Sequence, residues 1–494
     1  MAEAVAAFYA VETVVEGAVV GGLAVSSATA PLHANYKKIK SPAAGLAVSG
    51  STANTIKNKI YLVGGEPSGG QGDHGVHVLS LPPDFGASRT DAGQPIDVDY
   101  ELQKPVLDSE RRPLQPEAEH LDKIQSHSKE QSQHSSWSRT KHASVSIEDK
   151  IYVLGGLSTA SVDSRTSNTG NTTPLDSILV YDTLRSSYTI LAADPAKCTE
   201  GIPEQRYSPS CTSSPYPPPM SVADGQGPSL DIHGTIFLHG GYDVSGAPLN
   251  DTWTFDVGTR AWHKFPTVVE EAVQDSSIPG RIVYVEHRLW YVNGPTVMHL
   301  DLSEHDPEHN EAASQDAATL STGRVGSGQW QVVYPSAQQD PAVPADASSV
   351  DQKQETATAQ PQSEPTGPTE HVIPITTGAG RMYLLSLSST NPQAMHLFQI
   401  PSAAKTATSI KDTVRDKASQ AITKLPDSWK SGKHEWSRVE LVQKAVTEDD
   451  VERPEEGLTD FAVAGWEEYG DKIVIWGGQA EVTVKNEGWI VELG

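Results

Sequence analysis

Cysteine is nearly absent from this chain: its 494 residues hold two, Cys198 and Cys211. That is too few for the disulfide framework of a small secreted scaffold, and it suits a reducing compartment. Basic residues are scarce too. The 37 Lys and Arg against 63 Asp and Glu leave a formal charge of −26, a field that repels phosphate backbones and anionic lipid. The longest cationic run is Tyr36-Lys-Lys-Ile-Lys40, and no cluster of Lys and Arg interleaves with aromatics. No uninterrupted apolar run approaches the ~20 residues that cross a bilayer. The first residues lack an early Lys or Arg and carry Glu3, Glu12 and Glu16, unlike a secretory or mitochondrial leader. These absences predict a cytoplasmic chain with neither nucleic acid nor membrane as a partner.

Catalytic signatures are missing as well. There is no GxSxG elbow, no phosphate loop ending in Gly-Lys-Ser/Thr, no HExxH helix and no CxxC pair.

What the chain has in quantity is turn chemistry, with 40 Gly and 34 Pro, and a repeat. Its fullest copy runs through Thr235-Ile-Phe-Leu-His-Gly-Gly241 and Leu249-Asn-Asp-Thr-Trp-Thr-Phe-Asp256 to Trp262-His-Lys-Phe-Pro266. The first piece reads as a strand stopped by two glycines. In the second, Trp253 and Phe255 share one face and Thr252 and Thr254 the other, the period of a half-buried strand. The turn Val257-Gly-Thr-Arg260 then leads to a third, antiparallel strand. The unit is a meander.

Six segments align on the strand before the glycine pair: Lys59-Ile-Tyr-Leu-Val-Gly-Gly65, Lys150-Ile-Tyr-Val-Leu-Gly-Gly156, Thr235 to Gly241, Arg288-Leu-Trp-Tyr-Val-Asn-Gly294, Arg381-Met-Tyr-Leu-Leu-Ser-Leu387 and Lys472-Ile-Val-Ile-Trp-Gly-Gly478. Inner strands are expected at His142–Ile147, Arg281–Val285 and Phe461–Trp466, a third strand at Leu175–Asp182, and outer strands led by Trp262, Trp330 and Trp436. The glycine pair is incomplete in the fourth copy and absent from the fifth, which challenges their hairpins. After the sixth anchor only Gly488-Trp-Ile-Val-Glu-Leu493 remains, so the last sheet lacks an outer strand. Tyr36-Lys-Lys-Ile39 is expected to supply it and to clasp the ring shut.

This pattern resembles the kelch repeat. The resemblance implies an all-β fold, a six-bladed kelch β-propeller over residues 36–494, preceded by a helical extension over residues 1–35. In that extension Val5, Phe8, Val11, Val15 and Val19 fall at helical spacing. Only one interval between anchors, 294 − 241 = 53, is near the ~50 residues of an unadorned kelch repeat. The others carry inserts. Residues 335–370 are Pro-, Gln- and Thr-rich and are expected to be disordered. Residues 402–424 carry Ile410, Val414, Ala418 and Ile422 every four residues and are expected to be helical.

Three polar clusters read as solvated surface rather than metal ligands. They are His120, His127 and His134; Asp301, Glu304, His305, Asp306, Glu308 and His309; and Asp97, Asp99 and Glu101. The fold is also similar to the central domain of galactose oxidase. Neither cysteine sits where that enzyme's Tyr–Cys cross-link would need it, so copper oxidation is rejected. The ExxxDxxxH iron pattern of nitrile-specifier kelch proteins is absent too. No cofactor, metal or catalytic residue is expected.

The resemblance implies a protein–protein interaction module, here a stand-alone monomeric adaptor. The alternative is a metal-independent small-molecule-binding protein or enzyme with a pocket at the channel mouth. In such a ring the loop after each glycine pair and the loop leading into each inner strand share one face. The binding residues expected on it are Arg139, His142, Arg206, Tyr207 and Arg281, whose arginines would select an acidic partner by charge-assisted hydrogen bonds.

Overall fold

A computed structural model describes residues 33–40, 46, 48–67, 75–83, 85, 95–107, 139–158, 172–217, 232–268, 273, 277–302, 329–334, 369–377, 382–388, 391–400, 436–441, 453–466, 469–481 and 483–493. The expected N-terminal helix, the three-histidine cluster, the helical insert and almost all of the expected disordered insert lie outside these residues, as do Glu304 to His309.

The described residues form strands and turns, and their larger sheets are six, each of four or five strands. The first is Thr52–Ile56, Lys59–Val63, Val76–Ser80 and Asp99–Gln103. The second is Ala143–Ile147, Lys150–Leu154, Ser177–Asp182 and Ser187–Ala192. The third is Ser210–Ser214, Thr235–His239, Thr252–Asp256 and Ala261–Lys264. The fourth is Arg281–Val285, Arg288–Asn293, Thr296–Asp301 and Gln331–Tyr334. The fifth is Thr369–Thr376, Met382–Ser388, Met395–Gln399 and Trp436–Arg438. The sixth joins Ala462–Gly465, Lys472–Trp476 and Gly488–Leu493 to the N-terminal strand His33–Ile39.

The innermost strand of each sheet touches those of the sheets before and after it, and the sixth touches the first. This closed succession of antiparallel meanders is a β-propeller. Its core is divided accordingly into apolar layers between neighbouring sheets. Tyr61, Val78, Val153 and Tyr181 fill the layer between the first and second, for example, and Tyr36, Leu385, Ile475 and Trp489 the layer between the fifth and sixth. Trp262, Trp290, Trp476 and Trp489 are all but fully buried in these layers, and aromatic side chains of that size dominate such a core.

The expected closure is present. His33–Ile39 lies antiparallel on the last strand, with Tyr36 opposite Val491 and Ile39 opposite Gly488. The strand is three residues longer than the sequence suggested, and the chain segment Glu440–Leu441 covers its outer side in parallel. Val106–Leu107, leaving the first sheet, covers the edge of the second in the same way. The missing glycines did not cost the fourth and fifth sheets their hairpins: Arg288–Asn293 pairs fully with Thr296–Asp301, and Tyr383–Leu387 with Met395–Gln399.

Tryptophans bolt successive sheets together. The indole N–H of Trp262 donates to Leu175 O of the second sheet at 3.1 Å, that of Trp330 to Pro266 O at 2.9 Å, and that of Trp436 to Pro295 O at 2.8 Å. Near the axis polar side chains do the same work. Asn54 donates to Ser144 Oγ, Ser213 to Ser146 O, and Ser210 Oγ accepts from Ile282 N.

Candidate functional site

One face of the propeller is built by the loops that lead into the inner strands. Four of them pair with the loop that follows a glycine pair: Val48–Ser49 with Glu66–Pro67, Arg139–Thr140 with Leu157–Ser158, Leu458–Thr459 with Gln479–Ala480, and Tyr207 with Tyr242. The glycines are what let these loops approach. Gly64 and Gly65 have φ of +65° and +95°, and a Cβ on Gly64 would stand 2.4 Å from Arg139 O. Both the backbone conformation and the space favour glycine.

At the centre of this face the lead-in residues form a staircase. Gly50 N donates to Asp460 O at 3.0 Å, Lys141 N to Gly50 O at 3.1 Å, and Ser208 N to Lys141 O at 2.6 Å. All four residues stand two places before their inner strand's first core pair and all have left-handed φ, +66° at Gly50 and +51° to +52° at the others. A left-handed non-glycine residue is held there against local strain by its surroundings. The corresponding residue of the fourth sheet is Pro279, which has no N–H to give. Arg281 replaces it: its Nη1 donates to Ser208 O at 3.2 Å and to Pro209 O at 3.4 Å.

The staircase rims a cavity of about 200 Å³ lined by residues of all six inner strands. Its charges are Lys141, Arg281 and Asp460, with Lys141 Nζ 4.0 Å from Asp460 Oδ1 across the mouth. Deeper groups are neutral. His142 shares a 2.8 Å hydrogen bond with Thr52 Oγ1, and burial, helped by the Arg139 charge, pushes its pKa down to about 3. His371 Nε2 donates to Phe461 O at 3.1 Å; burial first and the Arg281 charge second bring it to about 3 as well. Burial pushes the Cys211 thiol up, and the nearby Arg281 charge offsets only part of that. A protonated thiol beside neutral imidazoles is a poor nucleophile. Among the described residues no group of three or more His, Cys, Asp and Glu is placed to hold a metal ion.

Of the five residues expected from the sequence, His142 and Arg281 line this cavity and Arg139, Arg206 and Tyr207 do not. Arg206 is fully buried. It meets Asp251 with both terminal nitrogens, at 2.6 and 3.0 Å, and also reaches Gly240 O and Glu204 O. Trp253 Nε1 donates to the same carboxylate at 2.6 Å. Tyr207 stacks on Tyr242, ring centroids 5.5 Å apart. Arg139 is buried beside Gly155 O. The cavity adds Lys141, Asp460 and His371, which sequence reasoning did not nominate. The available signal was position for two of them: Lys141 and Asp460 each stand two residues before an inner strand's first core pair, whereas His371 lies inside its strand opposite Leu387.

Among the described residues no helix is long and apolar enough to cross a membrane. No protein family's sequence profile matches the chain, and no curated protein does. Among solved structures the chain is similar to YjhT, described as "Structure of YjhT", with 10% sequence identity and a TM-score of 0.41 over 90% of this chain and 97% of that one.

Proposed function

We propose that the chain is a six-bladed kelch-type propeller that binds a protein partner on the face carrying the staircase, a partner acidic side chain entering the central mouth between Lys141 and Arg281. The observation that carries this reading is the cavity. At about 200 Å³ it falls below the ~300–1,000 Å³ of typical small-molecule sites, yet it accommodates one side chain. Two of its three charged residues are cations on a body of net charge −26, so the mouth offers local attraction where the remainder of the molecule repels acidic chains. Charge-assisted hydrogen bonds to Arg281 would supply geometry as well as energy. Both cysteines are free thiols, which suits the reducing cytoplasm we propose as its setting.

The test is a native mass spectrum of the untagged protein purified from its own cells, beside that of Lys141→Glu. Lys141 is partly exposed, so reversing its charge leaves the core alone. A protein retained at fixed stoichiometry by the wild type and lost from Lys141→Glu supports the reading. Retention by both, or a bound small molecule in place of a protein, overturns it.

A further inference from the structure

Arg139 and Arg206 occupy equivalent places, and only one of them has an acid. Each stands four residues before the inner-strand residue paired with the position preceding a glycine pair, Ala143 with Leu154 and Ser210 with His239. The carbonyl of each accepts from the second glycine of the preceding sheet, Gly65 N to Arg139 O at 2.7 Å and Gly156 N to Arg206 O at 3.0 Å. In each the guanidinium Nη1 points to the first glycine carbonyl of its own sheet, Gly155 O at 3.5 Å and Gly240 O at 3.0 Å. There the likeness ends. Arg206 is completed by the Asp251 carboxylate.

The residue matching Asp251 in the second sheet is Ser177, since Lys150 pairs with Asp182 as Thr235 pairs with Asp256, and serine has no carboxylate to offer Arg139. The neighbouring Asp176, the counterpart of Asn250, is exposed. Among the described residues no carboxylate meets Arg139, and its Nε has no partner although the residue is only 7% exposed. A buried cation without an opposite charge is costly, and adding a partner in good geometry recovers much of that cost.

We propose that Arg139 is a seat for a single carboxylate supplied in trans, a planar anion taking on Arg139 the place that Asp251 takes on Arg206. The paired loops Arg139–Thr140 and Leu157–Ser158 put this seat on the same face as the cavity mouth but outside its lining. The carboxylate could be an Asp or Glu side chain of a partner or a free small acid; the chemistry recognised is the same, a bidentate fork. A partner side chain as the source rests on the reading that this face binds a protein, whereas the seat itself does not. Burial lowers the Arg139 pKa to about 10, which still leaves a cation at neutral pH to receive the anion.

The probe is formate, the smallest carboxylate. Melting of the intact protein is followed in sodium formate and in sodium chloride at equal ionic strength, and the arginine Nε–Hε resonances are followed by NMR in the same titration. The expected result is a formate-specific rise in melting temperature, as mass action requires of a ligand that binds the folded state, with a shift of the Arg139 resonance. Arg139→Lys should lose both. Asp251→Asn, which empties the equivalent seat, should add a second formate-responsive resonance at Arg206. A wild type whose Arg139 resonance ignores formate overturns the proposal, because nothing binds there or an acid of the chain itself already fills the place. A melting response that survives in Arg139→Lys overturns it as well. Repeating the titration with a blocked single-Glu peptide separates the sources: a matching shift assigns the seat to a protein side chain, and a shift with formate alone assigns it to a small acid. Loss of the cavity reading through Lys141→Glu would leave these results unchanged.

Discussion

Arg281 Nη1 donates to the carbonyl of Ser208, the acceptor left over where Pro279 interrupts the staircase of backbone hydrogen bonds. A side chain thus carries the joint between the third and fourth sheets that backbone carries between the sixth, first, second and third. Arg281→Met is expected to destabilise the protein by roughly 1.5–3 kcal/mol, the range for a hydrogen bond made by a charged group. It should also let the His371 pKa rise from about 3, because the Arg281 charge is one of the two causes holding it there. Urea unfolding and a histidine NMR titration check the two effects together. An unchanged midpoint would show that the guanidinium only rests on the rim.

The Arg206–Asp251 pair makes the second prediction. Burial alone would raise the Asp251 pKa, but the hydrogen bonds and charge of Arg206, with Trp253, outweigh it and hold the carboxyl below its usual range. A depressed carboxylate contributes stability that is present above its unfolded pKa of about 3.9 and is lost as pH falls through the folded value. Asp251→Asn leaves a fully buried guanidinium short of its acid and should cost about 3–5 kcal/mol. It should also remove the loss of stability below about pH 4 that this carboxylate causes. Chemical denaturation at neutral pH and in acid measures both.

The two arginines also mark what the sequence could and could not tell. The anchor strands were legible because a short continuous apolar run, ending in two glycines in four of the six copies, is a strong local pattern, and the missing outer strand of the last repeat pointed to Tyr36–Ile39 by subtraction. The fifth inner strand, Thr369–Thr376, was not legible: it follows a Pro- and Thr-rich stretch and contains Pro374. Proline is tolerated on that strand because one side of an innermost strand faces the channel instead of a neighbour. The edge strand Val106–Leu107 is two residues long, too short for any periodicity, whereas Glu440–Leu441 ends the strand that the sequence runs from Trp436 to Leu441 and pairs with the N-terminal strand instead of the fifth sheet. The acid that fills Arg206 lies 45 residues away, so Arg206 and Arg139 look alike until the fold brings Asp251 to one of them alone.

Two buried histidines and a half-buried one predict an acid-sensitive fold. His142, His239 and His371 are each held neutral, with pKa values near 3 and burial as the first cause in each. In the unfolded chain they titrate near 6.5. Between those values the unfolded state binds more protons than the folded one, so stability rises with pH and falls as pH drops below about 6.5. Each histidine contributes at most about 1.4 kcal/mol per pH unit. His371→Gln, which can still donate toward Phe461 O, should flatten the slope of unfolding free energy between pH 6 and about 4 by one proton. An unaltered slope would mean that His371 protonates in the folded state.

The tryptophan bolts predict a graded response. Trp330 heads an outer strand and gives one hydrogen bond to the preceding sheet. Replacing it with Phe keeps the aromatic bulk but leaves Pro266 O without its donor, which should cost about 1 kcal/mol. Trp330→Ala also opens a cavity against Phe265 and Tyr291, its neighbours in the same apolar layer, and should cost about 3–5 kcal/mol. Equal losses from the two replacements would place all the value of this residue in its hydrogen bond.

Closure gives the last prediction. Within His33–Ile39, Ala34, Tyr36 and Ile39 are buried, and Lys37 Nζ meets Glu492 at 2.7 Å with its side chain 1% exposed. A chain that starts at Lys40 loses all of these contacts and leaves Glu492 without that cation. It also bares the row of N–H and C=O groups along Gly488–Leu493 that the N-terminal strand now occupies. An unpaired edge of that kind is a template for another copy of the same strand. The shortened chain should therefore melt at lower temperature and aggregate in proportion to its concentration, as light scattering would record. Adding a free peptide of the sequence His33–Lys40 should reverse both effects, since the missing outer strand binds the folded state by mass action. A shortened chain that melts with the full-length protein and stays monomeric would show that the other three strands close the sixth sheet without it.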